Sequence, residues 1–195
     1  MRSKCVRRIV SIGVITLFLA SSLYALPKAP GSNQDGIATV NSYFIERSTA
    51  LLKDLQGVVG KLNRDAETLG SFSRSSGLSW QSHAHYLNNA RDHINQVGSL
   101  LRELQGMRRG AAPWQLQAID RITPIAAKAA AHTETAIKHL RDNQRRHFVP
   151  EYKDCLWMIQ DRTAEMKQTV DNFLDYGETQ RKLLQLQRTL EPAGS

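Results

Sequence analysis

Between residues 37 and 190, apolar side chains return every three or four positions in four separate runs, the period that lines one face of an α-helix. In the first run Ile37, Val40, Phe44, Leu51, Leu55, Val58, Leu62 and Leu69 share a face of a helix of about 33 residues, weakened locally by Gly57 and Gly60. The stretch from Gly70 to Gly77 breaks the pattern, and Ser79 offers its hydroxyl as a cap for the next helix. The second run is the cleanest: Trp80, His83, Leu87, Ala90, Ile94, Val97, Leu101 and Leu104 alternate three- and four-residue steps, as in a coiled-coil seam. Pro113 can open a third helix, since its missing N–H would have no helical partner there. That helix is expected to reach about His147, burying Leu116, Ile119, Ile122, Ala126, Ala129, Thr133, Ala136, Ile137 and Leu140, with a kink at Pro124.

Pro150 begins the fourth helix, about 40 residues or roughly 60 Å long. Its expected stripe is Tyr152, Leu156, Ile159, Thr163, Met166, Val170, Phe173, Gly177, Leu184 and Leu190. No stretch alternates apolar and polar residues for long enough to predict a strand. Four amphipathic helices joined by short connections pack most simply as an antiparallel, up-down-up-down bundle, so the fold class expected is all-α. Because the stripes are narrow and the helices long, extended helical hairpins or a coiled-coil dimer are the competing architectures.

Ahead of these runs the pattern is of another kind. Arg2, Lys4, Arg7 and Arg8 precede a dozen mostly apolar residues, Ile9 to Ala20, and small residues follow. This is the layout of a secretory signal peptide, and the apolar core is shorter than the ~20 residues a spanning helix needs. Cleavage is expected after Ala25, with a cut after Ser22 as the alternative. Residues 26–36, rich in turn formers, read as a flexible lead-in, and 37–191 as one four-helix domain. The expected location is therefore periplasmic or extracellular, with no stable membrane anchor once the signal is removed.

Composition then changes the picture in one respect. The net charge of +8 looks strongly basic, yet the signal holds four of the 26 Lys and Arg and none of the 18 Asp and Glu. The remaining chain carries 22 basic against 18 acidic residues, an ordinary surface that does not call for nucleic acid. The clusters Arg108-Arg109, Arg141 with Arg145-Arg146, and Arg181-Lys182 with Arg188 each fall near a helix end, where cations oppose the helix dipole. Two cysteines make no disulfide framework. Cys5 leaves with the signal, and Cys155, beside a stripe position and without a surrounding motif, reads as inert.

Residues 79–190 resemble uncharacterised exported bacterial all-helical proteins with no assigned activity. The resemblance is carried by Trp80-Gln81-Ser82-His83-Ala84-His85, by His132-Thr133-Glu134 with His139-Leu140, and by Asp171-Asn172-Phe173-Leu174-Asp175-Tyr176-Gly177. It implies export and a helical fold, and it implies no functional residue.

The histidines are the only residues with the makings of a site. His83 lies on the second helix's seam, His132 and His139 lie seven apart on one face of the third, and an antiparallel bundle could bring them together. These three are the candidate metal ligands, although the Glu-x-x-His pairs of carboxylate-bridged bundles and the Cys-x-x-Cys-His of attached haem are both missing. Asp171, Asp175 and Glu178 read as a solvated acidic face, and the alanines from Ala126 to Ala131 as a close-packing patch. With no catalytic or cofactor signature, the expected function is that of an exported, non-enzymatic protein acting by protein surface contact or self-association, without a cofactor. A periplasmic metal- or haem-binding bundle using the core histidines is the alternative.

Overall fold

A computed structural model of the chain describes residues 34–74, 79–143 and 149–190, with side chains from residue 41 onward. The expected signal peptide, its cleavage site and most of the lead-in lie outside these residues. Four helices account for nearly all of them: α1 (Gln34–Phe72), α2 (Trp80–Gly106), α3 (Pro113–Asp142) and α4 (Pro150–Leu190). A single 3₁₀ turn, Arg108–Gly110, lies between α2 and α3, and there is no strand among the described residues. Likewise, no helix among them is long and apolar enough to cross a membrane.

The side-chain pairings give the topology. Gln56 meets Asp171 and Asn63 meets Thr163, so α1 and α4 run antiparallel. His93 with Asp65 and Arg47 with Glu103 do the same for α1 and α2. Arg121 over Phe173 and His139 against Tyr152 do so for α3 and α4. Helix α2 also packs on α3, so the four helices close into an up-down-up-down ring around one core. The protein is an all-α four-helix bundle.

Local chemistry sets the helix ends. The Ser79 hydroxyl accepts from the Ser82 N–H at 3.4 Å and starts α2. Pro113 occupies the first turn of α3, where the Gln115 Oε1 accepts from the Ala112 N–H at 2.8 Å. Helix α3 runs unbroken through Pro124, which sits on its solvent side, and stops at Asp142, five residues short of the expected His147. The Asn143 N–H donates to the His139 carbonyl there at 2.9 Å. Helix α1 starts at Gln34, inside the expected lead-in, and continues through Gly70 to Phe72.

The core matches the expected stripes best in α2, where His83, Leu87, Ala90, Val97, Leu101 and Leu104 are buried and Trp80 and Ile94 half-buried. In α1, Val59 is fully buried while the expected Val58 is only half-buried, and Ser48, Leu52, Asn63 and Ala66 join the core. In α3 the residue buried at the first turn is Gln115, while Leu116 is half-exposed. The reason is hydrogen bonding: the Gln115 Nε2 donates at 2.9 Å to both the Ile45 carbonyl and the Thr49 Oγ1, so the amide is satisfied inside.

Helix α4 departs most from expectation. Its stripe is buried from Tyr152 to Val170, and Phe173 and Gly177 are half-buried, but every residue from 178 to 190 is exposed. Leu184 and Leu190, expected in the core, are 56% and 80% exposed. Gly177 still packs closely on α3, where a Cβ would stand 2.5 Å from the Trp114 ring. The α2–α3 turn closes the bundle at that level, with Gly110 equally tight against Phe44, so the thirteen residues 178–190 project about 20 Å with no helix of α2 or α3 beside them.

Candidate functional site

Antiparallel topology gathers the start of α2, the end of α3 and the start of α4 at one end of the bundle. The first turn of α2 supplies Trp80 and His83, the last turn of α3 supplies His139, and the first turn of α4 supplies Tyr152. His83 is 1% exposed, and its Nδ1 lies 3.0 Å from the Tyr152 hydroxyl. On the other side the His139 ring stacks on Tyr152, with centroids 5.3 Å apart and planes 22° from parallel. Phe72 closes the group against His83 at 5.0 Å and Tyr86 at 5.4 Å. His83 and His139 thus both lie against Tyr152, which stands between them at the end of the bundle that the antiparallel arrangement brings together.

Their chemistry is that of a hydrogen-bonded aromatic plug. Burial, followed by the charge of a neighbouring Cys155 thiolate, pushes the Tyr152 phenol well above its ordinary value, so it stays protonated and is no base at neutral pH. The His139 Nε2 is buried and meets no hydrogen-bond partner among the described residues. His132 is half-buried one heptad earlier and makes no hydrogen bond, ion pair or ring contact among them. No three His, Cys, Asp or Glu side chains among the described residues come together as a metal-holding group, and His83, His132 and His139 do not form one.

Two grooves open beside these elements. One, of about 150 Å³, lies between α2 and α3 and is walled by Trp80, Ala84, Leu87, Ile137 and Leu140, with Asn88 and Arg141 at its rim. The other, of about 260 Å³, lies between α3 and α4 at the opposite end, where the Arg121 guanidinium sits 5.9 Å from the Phe173 ring centre. Neither converges charged or nucleophilic groups on one point, as a reacting centre requires.

The thiol and several of the charged groups singled out above have structural surroundings. Burial, then Asp154, pushes the half-buried Cys155 thiol above its ordinary value, against nucleophilic use. Arg108 grips Asp120 with two bonds of 2.6 and 3.1 Å, so this member of a basic cluster ties the α2–α3 turn to α3. Arg145 and Arg146 lie outside the described residues. Asp171 joins α4 to α1 by accepting from the Gln56 Nε2 at 2.7 Å, and within α4 it accepts from the Lys167 Nζ at 2.7 Å. A His93–Asp65 pair at 2.9 Å between α1 and α2 was not foreseen. It depends on the register between two helices, to which spacing within either one is blind.

What the fold and these groups define is a four-helix bundle whose buried polar side chains are, His139 Nε2 apart, mostly paired within it among the described residues, and which leaves Leu183, Leu184, Leu186 and Leu190 exposed at the far end of α4. Comparison with protein families, with curated proteins and with solved structures finds no significant match to this chain.

Proposed function

We propose that this is an exported, non-enzymatic helical protein that acts by contact with other protein surfaces, and that the contact is made by the end of α4. One observation carries the reading: Leu183, Leu184, Leu186 and Leu190 stand 55% to 80% exposed on the part of α4 that runs beyond α2 and α3. A run of four large aliphatic side chains within eight residues goes against the polar surface a solitary bundle needs, and such patches mark interaction sites. Export rests on the signal-like residues 1–25 and on the resemblance to exported bacterial helical proteins. A photo-cross-linking residue in place of Leu186, expressed in the source cell, should yield protein adducts that the same residue in place of the exposed Gln96 does not. Equal labelling at both positions, or none at Leu186, overturns the reading.

A further inference from the structure

The apolar stripe of α4 changes direction where the helix leaves the bundle. At about 100° per residue, Leu183, Leu186 and Leu190 fall within about 60° of one another and about 165° from the mean direction of the buried stripe Tyr152 to Val170. Tyr176, half-exposed, lies on the same outward seam. The inward side of the tail carries Arg181, Arg188 and Leu184 instead. The seam therefore cannot be buried by prolonging the bundle along α4.

We propose that this seam binds a second copy of the chain, the two α4 tails pairing antiparallel, a partner assignment that rests on the protein-contact reading above. In heptad terms Tyr176, Leu183 and Leu190 take the a positions and Thr179 and Leu186 the d positions, a narrow two-helix seam. With the tails antiparallel, Leu183 faces Leu186 of the second copy and Leu190 faces its Thr179. The flanking contacts are then Gln180 with Gln187 and Lys182 with Thr189, so no like charges meet, while Arg181 and Arg188 take the outermost f positions.

Charge decides against the other arrangements. Followed back toward the bundle, the same face carries Asn172, Glu165, Asp161 and Asp154, and although Arg162 bridges Asp161 and Glu165, parallel copies would set each acid against its own counterpart. A helix lying on anionic lipid needs a broad apolar face with cations beside it, whereas here the seam is narrow and both arginines are on its reverse. Three leucines and a tyrosine per copy cover less than the ~800 Å² per partner of a standard interface, so the dimer is a weak, concentration-dependent one.

Sedimentation equilibrium of the purified protein from about 1 to 500 µM tests this, the range being set by the micromolar affinity expected of so small an interface. The mass should rise from one chain toward two. Leu183→Gln with Leu186→Gln should hold it at one chain with unchanged circular dichroism, while Leu184→Gln, on the inward side, should still dimerise. In a Cys155→Ala background, mixing Gln180→Cys copies with Gln187→Cys copies should give disulfide-linked pairs faster than either alone. A monomer at every concentration, a dimer that survives the double substitution, or faster linkage of identical copies overturns the proposal. A monomer whose Leu186 probe still labels another protein keeps the protein-contact reading and removes the second copy. A monomer labelled only within residues 1–33, or bound only to anionic vesicles, removes both.

Discussion

Tyr152 shows how one side chain ties three helices together: its ring lies against His139 of α3 and its hydroxyl reaches His83 of α2, from the first turn of α4. Replacing it by Phe keeps the ring contacts and strips the hydroxyl from a buried imidazole nitrogen. The expected cost is about 1–3 kcal/mol in urea unfolding, because the nitrogen keeps its desolvation penalty. Cys155 gives a second residue-level test. Its thiol is raised above 9.0 by burial and then by Asp154, so alkylation should be slower than for an exposed cysteine at pH 8, and its rate should go on rising with pH beyond the point where that of an exposed thiol levels off. For Asp171, burial works to raise the carboxyl but the bonds from Lys167 and Gln56 outweigh it, leaving it below 3.8. A depressed carboxyl stabilises the fold above the unfolded value and loses that contribution as pH falls through the folded one. Asp171→Asn should therefore melt below the parent protein at pH 7, and the gap should close below pH 3.8.

At the scale of the element, the stretches whose stripe packs between two neighbouring helices were largely legible in the sequence, and the end of α4 that runs beyond α2 and α3 was not. Helix α2 conforms because apolar side chains hold nearly every seam position and the one polar residue, His83, finds a partner. Periodicity reports only that residues share a face, which is why it carried the α4 stripe on to Leu184, past the point where α2 and α3 end, whereas Leu190 lies on the opposite face of the helix and never belonged to the stripe. It also favoured Leu116 over Gln115, since the carbonyl of Ile45 that satisfies the amide belongs to another helix. The histidine cluster was half legible: topology brought His83 near the end of α3, but Tyr152 as the group between them was read only as core. Leu101→Ala should cost roughly 2–4 kcal/mol and Gln96→Ala almost nothing, as measured by thermal or chemical melting. Gly177→Val should displace Trp114 and raise its fluorescence exposure, because the ring already occupies the space of a side chain.

For the whole molecule, the expectation of export stands on residues 1–25, and N-terminal sequencing of the product from the source cell should begin near Leu26 in the fraction outside the inner membrane. A chain starting at Met1 would overturn it. The closed ring of helices also bears on how the protein reaches its fold. Helix pairs adjacent in sequence meet through short connections, but α1 and α4 meet through residues such as Asn63 with Thr163 and Gln56 with Asp171, 100 and 115 positions apart. Closing so long a loop costs entropy before any contact rewards it, so this seam should form after the barrier to folding has been crossed. Thr163→Val and Gln56→Ala should then leave the refolding arm of a chevron nearly unchanged and speed the unfolding arm, which makes the first and last helices the latch whose release sets the lifetime of the native state.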